Sequence, residues 1–410
     1  MAIKQPIVVS PGVLRLCVAI DAAGGRALVV GGTVRDAVLG RGAADIDLEV
    51  HGLSVRTLRE LLSGHGGLAE VGRSFGVFKL KLDGAEVDVA LPRADSSAGD
   101  GVSGDPHIGV EAAARRRDLT INAMAWDPLS SVLVDPLGGA RDAEARVLRA
   151  ADPGRFGDDA LRVWRVARLS GVLGFSVHPE LAVLCRGIDT SGVPAERVSR
   201  ELEKLLLKSP RPSVGWEAAL EVGAAAAWAP GLPADRGAAL DRAAGLRDAA
   251  GRAPRSLALM LTVLLCEAPD PASILDRLGI LRRQRFPLRE QVLAGVRASR
   301  GLAEPVSSPV LARLAEQAEV GLCCLVSQAC WPDGAGAANS LQAAMLGVSE
   351  APLPSLIRGR DLVAMGVPAG PGLGPLLAAV REAQLEGDIH DRDAAIELAG
   401  RLWSERSPGV

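Results

Sequence analysis

Residues 27–50 read ALVVGGTVRDAVLGRGAADIDLEV, and this stretch is the most informative part of the 410-residue chain. Near its end, Asp45 and Asp47 alternate with the apolar Ile46 and Leu48. Because side chains alternate between the two faces of a strand, this spacing predicts both carboxylates on one face and both apolar residues in the core. Adjacent carboxylates repel each other unless a cation compensates their charge. Mg²⁺ prefers oxygen ligands, so the stretch predicts a magnesium site for a phosphate substrate.

A glycine pair precedes these carboxylates. The apolar run 27–30 ends at Gly31 and Gly32, and Arg35 follows. Such a turn exposes backbone N–H groups, which together with an arginine can hold a polyphosphate. A solvated strand edge or an ordinary turn would explain either motif alone. Strand, glycine turn, helix and strand in one short stretch together favour nucleotidyl transfer.

Length and composition limit the class of protein. A chain of 410 residues exceeds one compact core, which predicts several domains. The hydrophobic content of 48% and charged content of 23% are typical of soluble globular proteins. A net charge of −3 argues against a general nucleic-acid coat protein but allows a binder with a local basic face. The absence of a signal-peptide pattern or a long apolar stretch predicts a cytoplasmic protein without a membrane span.

The six cysteines do not have the spacing of a zinc site. We interpret all six as buried thiols in a reducing compartment. The basic segment LRRQRFPLREQ, residues 281–291, either contacts RNA phosphate or is a solvated helix end. The oligomeric state stays open at this stage.

The pattern along the chain changes near residue 150. Before it, short β-branched runs alternate with helical segments, and a hairpin is predicted to turn at Asp83-Gly84. The second arm of this hairpin makes Asp88 either a third carboxylate beside the first two or a solvated strand residue. The segment between Arg93 and Arg115 has loop composition. From Pro153 onward the pattern is helical. The predicted strands are Ala27–Val30, Asp45–Val50, Phe75–Leu82, Glu86–Leu91 and Leu133–Asp135.

Two further motifs carry charged side chains. In RRRDLTINAMAWD, residues 115–127, Asp118 can accept from a ribose hydroxyl while Arg117 faces phosphate or base. Arginine clusters are more often solvated surface, so this motif is weak by itself.

In FGDDALRVWRVARLSGVLGF, residues 156–175, charged residues recur at intervals of three, which predicts one helix face. This face is either a surface ion-pair ladder or a nucleotide contact. In the second case Asp159 and Arg162 would read a base edge, and Arg165 and Arg168 would neutralise phosphate.

The motifs GGTVRD with DIDLE, RRDLTINA, DDALRVWRVAR and ERVSRELEKLL stand in the same order as those of a known family. The chain resembles the class II tRNA nucleotidyltransferases and bacterial poly(A) polymerases over roughly residues 25–210. The resemblance implies an α+β chain in which a polymerase-β-like nucleotidyltransferase head is followed by an all-helical neck, body and tail. We assign the head to residues 1–150, the base-recognising neck to residues 151–215, and the tRNA-binding body and tail to residues 216–410.

The resemblance also implies roles for individual residues. Asp45 and Asp47 would bind two Mg²⁺ ions, and Asp88 would be the third catalytic carboxylate. The nucleotide-binding residues would be Gly31, Gly32, Arg35, Arg117, Asp118, Asp159, Arg162, Arg165 and Arg168. Where the family usually has Glu-Asp and Leu, this chain has Asp158-Asp159 and Trp164. In the family, the loop corresponding to residues 92–115 governs the switch from C to A addition, and here it is short and glycine-rich.

The implied activity is addition of CMP and AMP from CTP and ATP to the 3′ end of tRNA. Alternatives with the same fold are an enzyme that adds only CC or only A, and a poly(A) polymerase. Two other classes are a non-catalytic RNA-binding relic and a nucleotidyltransferase for a small acceptor such as an aminoglycoside. The intact carboxylates argue against the relic, and the long helical half argues against the small acceptor.

Overall fold

The computed structural model describes residues 3–42, 45–65, 67–70, 77–92, 105–283 and 285–406. The strands are β1 (Arg26–Val30), β2 (Ile46–His51), β3 (Gly67–Glu70), β4 (Val77–Leu82), β5 (Ala85–Ala90), β6 (Ala125–Asp127), β7 (Val132–Val134), β8 (Val147–Leu148) and β9 (Ser176–Val177). The first helices are α1 (Pro11–Ala22), α2 (Gly32–Val38), α3 (Val55–Ser63), α4 (Val110–Arg115), α5 (Gly139–Ala145), α6 (Leu161–Leu173) and α7 (Pro179–Arg186).

The later part of the chain is helical. Its helices are α8 (Ala195–Lys208), α9 (Pro212–Glu221), α10 (Gly237–Gly245), α11 (Arg247–Ala250), α12 (Ala253–Leu265), α13 (Pro271–Arg277), α14 (Leu288–Ala298), α15 (Ser308–Ala315), α16 (Val320–Cys330), α17 (Gly336–Met345), α18 (Gly359–Ala364), α19 (Leu373–Glu386) and α20 (Arg392–Arg406). Short 3₁₀ helices occupy Thr120–Asn122, Phe156–Asp158, Ala234–Arg236 and Gly301–Ala303. None of the helices among the described residues has the length and apolar character of a membrane span.

Seven strands form one mixed sheet in the order β3-β4-β5-β2-β1-β6-β7. Strands β2 and β5 are parallel, and the other neighbouring pairs are antiparallel. Alternate residues such as Leu28, Leu48, Val50 and Val89 are fully buried, because one face of the sheet is covered by protein. The parallel pairing brings the two acidic strands side by side.

The chain divides into two compact units. The first comprises Met1–Val193 with Ala218–Ala227, and the second comprises Pro194–Glu217 with Trp228–Val410. The division groups residues 151–193 with the head, whereas our functional assignment begins the neck at residue 151. That functional division stays a prediction.

Most of the predicted elements are present. The five predicted strands correspond to β1, β2, β4, β5 and β7 within one or two residues, although part of the third lies outside the described residues. The hairpin turns where expected: Asp83 and Gly84 have φ angles of 47° and 86°, the left-handed values of a tight two-residue turn. Ile46 is only half-buried rather than in the core, because it is the first residue of β2.

The predicted loop between residues 93 and 115 needs one correction. Residues 93–104 lie outside the described residues, but Val110–Arg115 forms helix α4. This short helix contains three consecutive alanines, which favour helix formation. The loop prediction followed from the glycines and serines that precede them.

Candidate active site

Three carboxylates lie on or immediately before the neighbouring strands β2 and β5. Asp47 and Asp88 are direct partners in the parallel register, and Asp45 immediately precedes β2. The side chain of Asp47 is exposed, yet enough protein surrounds its carboxylate that loss of solvent raises its pKa. The negative charges of Asp88 and Asp45 raise the pKa further, and Arg117 and Lys79 oppose them. The structure therefore places the predicted acidic residues close enough to repel one another.

A lysine that the sequence analysis missed partly compensates this repulsion. Lys79 on β4 is the register partner of Asp88, and its Nζ lies 3.3 Å from Asp88 Oδ1 and 3.7 Å from Glu86 Oε2. The hydrogen bond to Asp88 and the two negative charges raise the pKa of Lys79. Lys79 thus supplies a positive charge at the acidic edge.

The glycine turn lies beside these carboxylates. Gly31 follows β1 with a φ of 77°, which glycine adopts without strain, and α2 begins at Gly32. A Cβ atom at Gly31 would lie 3.9 Å from Asp47 Oδ2. Thr33 Oγ1 donates to the backbone carbonyl of Asp45 and joins α2 to the start of β2. The turn and the acidic edge are therefore one local structure.

Arg35 points away from solvent and begins a chain of hydrogen bonds. Its side chain is 13% exposed, pairs with Asp36, and donates from Nη1 to Asn122 Oδ1 at 2.9 Å. Asn122 Nδ2 in turn donates to Asp118 Oδ1 at 2.9 Å, and Arg165 Nε donates to Asp118 Oδ2 at 2.7 Å. Asn122 thus joins the predicted triphosphate arginine to the predicted ribose-binding aspartate.

Asp118 is a buried, fully engaged carboxylate. Burial raises its pKa, but the charge of Arg165 and hydrogen bonds from Asn122, Arg165 and the Leu119 N–H outweigh this and hold the pKa below its usual value. Asp118 is therefore ionised although only 7% of its surface is exposed to solvent. Its oxygens already accept these bonds, so Asp118 positions Arg165 and Asn122 in this structure.

Arg117 contacts strand β2 beside the acidic residues. Its Nη2 lies 2.5 Å from Glu49 Oε2, and His51 Nε2 lies 3.2 Å from Glu49 Oε1. Burial raises the pKa of Glu49, but hydrogen bonds and charge from His51 and Arg117 lower it below its usual value overall. Sequence reasoning missed Glu49 and His51, although the alternation beginning at Asp45 continues through both.

Arg162 is held near the start of α6 by backbone carbonyls. Its Nη1 donates to Arg155 O and its Nη2 to Arg116 O, both at 2.7 Å, and its Cζ lies 6.0 Å from the Phe156 ring centroid. A guanidinium has five N–H donors, so further donors remain for a ligand. These contacts fix the orientation of the side chain.

Asp159 lies outside the helix that was predicted to carry it. A 3₁₀ helix ends at Asp158, Asp159 has extended backbone angles, and α6 begins at Leu161. Its Oδ1 accepts from the Leu161 N–H at 3.1 Å, while Arg162 N donates to Asp159 O at 2.9 Å. The predicted single helix face thus includes only the three half-buried arginines, Arg162, Arg165 and Arg168.

The segment 116–118 links the acidic strand to α6. Arg116 O accepts from Arg162, Arg117 donates to Glu49, and Asp118 accepts from Arg165. Three successive residues thereby connect β2 with two positions on α6. The structure joins the second and third sequence motifs through these bonds.

The acidic edge has suitable chemistry for Mg²⁺. Among the described residues, no group of three or more His, Cys, Asp or Glu side chains is arranged so that it could hold a metal ion by itself. Mg²⁺ is commonly held by one or two carboxylates together with substrate phosphates. Loss of solvent, followed by the charges of Asp88 and Asp45, raises the pKa of Asp47, and a bound cation would relieve the repulsion between these charges. Asp45 and Asp47 fit this type of site.

Residues 27–149 match the family described as poly A polymerase head domain. Similar curated proteins include the Multifunctional CCA protein of Xylella fastidiosa strain M12, 40% identical over 194 residues, which are 44% of this chain and 44% of the relative. The Multifunctional CCA protein of Stenotrophomonas maltophilia strain K279a is 43% identical over 198 residues, 45% of this chain and 46% of the relative. The chain spans about half the length of the curated relatives it matches.

The fold resembles solved structures over nearly its whole length. The Bacillus stearothermophilus CCA-adding enzyme in complex with CTP has a TM-score of 0.75 and 22% identity, covering 97% of this chain and 99% of that one. The Thermotoga maritima CCA-adding enzyme complexed with tRNA has a TM-score of 0.66 and 22% identity, covering 96% of each chain. These likenesses concern the fold, which is a mixed α+β head followed by helices. The head-domain match covers residues 27–149, whereas the structural likeness extends over nearly the whole chain.

Proposed function

We propose that the chain is a template-independent tRNA nucleotidyltransferase that adds CMP and AMP from CTP and ATP to the tRNA 3′ end and releases pyrophosphate. The observation that carries the proposal is the linkage made by residues 116–118. Arg117 reaches the acidic strand, while Arg116 and Asp118 hold Arg162 and Arg165 on α6. Residues that would hold a triphosphate and residues that would read a base are therefore joined in one hydrogen-bonded network.

Each group in this network has a proposed role in one displacement. The primer 3′-oxygen attacks the α-phosphorus, the bond from phosphorus to the bridging oxygen breaks, and pyrophosphate leaves. Asp45 and Asp47 would hold two Mg²⁺ ions, whose charge lowers the pKa of the 3′-hydroxyl and neutralises the triphosphate. Asp88 is the third carboxylate, and Gly31, Gly32 and Arg35 lie at the triphosphate. Positioning and charge account for catalysis in this class of reaction.

Base selection is assigned to Asp159 and Arg162, with Arg165 and Arg168 on phosphate. An arginine held by two backbone carbonyls presents its remaining donors in a fixed direction. Arg117 and Asp118 contact the incoming nucleotide and its ribose in this proposal. For Asp118 this requires exchange of a hydrogen bond, because both of its oxygens accept in the present structure.

The tRNA is proposed to contact a basic groove of the second unit. The groove has a volume of about 600 Å³ and is lined by Arg200, Glu203, Lys204, Leu207, Lys208, Arg282 and Arg283. Arg200 pairs with Glu196, and Arg283 pairs with Glu203, but Lys208 and Arg282 are exposed. Successive phosphates of RNA suit such an arrangement.

Since tRNA, CTP and ATP meet in the cytoplasm, we assign the reaction there.

The test uses purified protein, Mg²⁺ and three tRNA transcripts that end before CCA, after CC and after CCA. CTP and ATP are supplied separately and together, and the products are separated on a sequencing gel. The proposal requires the first transcript to gain CCA and the complete transcript to gain nothing. Addition of CC alone or of one terminal A would make the chain a partial-function enzyme. Long A tails would make it a poly(A) polymerase, and no extension of any transcript would overturn the catalytic assignment.

A further inference from the structure

Two cysteines that are 64 residues apart in sequence meet in the second unit. Cys266 follows the last turn of α12, and Cys330 is the last residue of α16. Their Sγ atoms lie 3.4 Å apart and share a hydrogen bond. At this separation a small movement of either side chain brings the sulfurs to bonding distance.

The pair differs from the other four thiols. Cys17, Cys185, Cys323 and Cys324 are buried, whereas Cys266 and Cys330 are half-buried, and all six are free. Burial raises the pKa of Cys17 to about 11 and of Cys185 to about 12, which keeps these thiols protonated and inert. The prediction that all six are buried is therefore wrong for two of them. Both lie at helix ends, where fewer neighbours cover the side chain.

A buried arginine lies beside the pair. The Arg236 side chain is 7% exposed, its Nη1 lies 2.6 Å from Glu267 Oε2, and its Nε has no hydrogen-bond partner among the described residues. The hydrogen bond from Cys330 lowers the pKa of Cys266 against the opposing effect of burial, while the charge of Arg236 lowers it and that of Glu267 raises it. The same hydrogen bond, followed by burial, raises the pKa of Cys330. Partial exposure and a nearby arginine both favour reactivity of a thiol.

We propose that Cys266 and Cys330 form a redox-sensitive thiol pair that exchanges with small disulfides and closes to a reversible intramolecular disulfide. The Cys266 thiolate attacks one sulfur of a disulfide such as oxidised glutathione and expels the other sulfur as a thiolate. Cys330 loses its proton and attacks the Cys266 sulfur of this mixed disulfide, which releases the second small thiol. Two protein thiols are oxidised, and one small disulfide is reduced to two thiols.

The new bond would join the ends of two helices that pack together in the second unit. A disulfide that closes a loop of this length restricts the unfolded chain and stabilises the folded one. We expect the thermal midpoint of the oxidised protein to rise by on the order of 5 °C. This site lies outside the residues assigned to nucleotidyl transfer, so its test is independent of the proposed activity.

The test treats the native protein with oxidised glutathione, blocks free thiols with N-ethylmaleimide, and maps the peptides by mass spectrometry. We expect the Cys266 and Cys330 peptides to be linked, with a higher thermal midpoint that dithiothreitol reverses. Cys17, Cys185, Cys323 and Cys324 should remain free for labelling after denaturation. Absence of the linked peptide, or linkage through one of those four cysteines, would overturn the proposal.

Two substitutions separate the roles of the pair, and a third is the control. In Cys330→Ser, the mixed disulfide of glutathione with Cys266 should accumulate, because the second thiol is missing. In Cys266→Ser, modification of Cys330 should be slower. The matched control, Cys185→Ser, should keep the linked peptide. If Cys330 in Cys266→Ser reacts with oxidised glutathione faster than Cys266 does in Cys330→Ser, the assigned order of attack is incorrect.

Discussion

Asp118 accepts a 2.7 Å hydrogen bond from Nε of Arg165, and this partly buried ion pair connects the segment after α4 to helix α6. The pair lies between two groups of residues that the sequence motifs suggest for nucleotide binding. Its strength can be measured separately from catalysis.

Asp118→Asn should destabilise the folded protein by roughly 2 kcal/mol, because the half-buried Arg165 loses its charged partner. Urea unfolding of both proteins measures this. The contribution of Asp118 is present above its ordinary pKa of 3.8 and is lost as pH falls through the lower folded-state pKa. The difference in unfolding free energy between the two proteins should therefore be largest at neutral pH. It should decrease as the pH falls below 3.8. Glu111→Gln, which breaks an exposed pair with Arg115, is the control and should change stability by less than about 0.5 kcal/mol.

Asp47→Asn should reduce turnover by about three orders of magnitude or more, because a proposed Mg²⁺ ligand loses its charge. Single-turnover extension of a tRNA lacking CCA measures the rate, and circular dichroism checks the fold. Since neighbouring carboxylates repel Asp47, the variant should unfold in EDTA at the same temperature as the wild type or higher. Glu86→Gln on β5 is the control for removal of one acidic charge. Activity at the wild-type level in Asp47→Asn would refute the metal assignment.

The response to Mg²⁺ should depend on pH. The pKa of Asp47 is raised on folding, so its contribution to stability is greatest below the ordinary value of 3.8 and is lost as pH rises through the folded-state pKa. Mg²⁺ competes with the proton for this carboxylate. The rise in thermal midpoint caused by Mg²⁺ should therefore increase as pH is raised from about 4 towards neutrality. An equal rise at every pH would contradict this.

Arg162→Ala should change the relative use of CTP and ATP by roughly tenfold, while primer binding changes little. The reason is that two backbone carbonyls fix this guanidinium, and its free donors would face the base. Incorporation of each nucleotide is measured on the matching tRNA transcript. Arg186→Ala removes an exposed arginine that also bonds a backbone carbonyl, and it should leave the ratio unchanged. An unaltered ratio in Arg162→Ala would rule out the base-reading role.

Lys208→Glu and Arg282→Glu should each weaken tRNA binding and lower the slope of log affinity against log salt by about one per lost phosphate contact. Filter binding over a range of salt concentrations provides the measurement. Arg300→Glu, an exposed charge reversal elsewhere in the second unit, serves as the control. If all three variants bind alike, the groove is not the RNA contact.

Local sequence patterns predict most of the strands in the head. The alternation in DIDLE predicts which side chains share one face of β2, and the Asp83-Gly84 turn predicts the β4–β5 hairpin. Counting back from that turn also pairs Lys79 with Asp88, so the register of the hairpin is sufficient to predict this contact. The parallel pairing of β2 with β5 was not available, because the intervening residues do not encode which strands become neighbours.

The network around Asp118 shows the limit of motif spacing. A period of three suggested that Asp159 shares a helix face with the arginines, yet the backbone is extended at Asp159 and the helix starts afterwards. The bonds from Arg35 through Asn122 to Asp118 connect residues that are 87 and 4 positions apart. Such partners depend on how the sheet and helices pack, which no local pattern specifies.

Lys79 has a consequence for the stability of the head. Its ammonium group is an internal counter-ion for the acidic edge, 3.3 Å from Asp88. Repulsion among the carboxylates of this edge is therefore offset partly by the polypeptide itself and not by a bound cation alone.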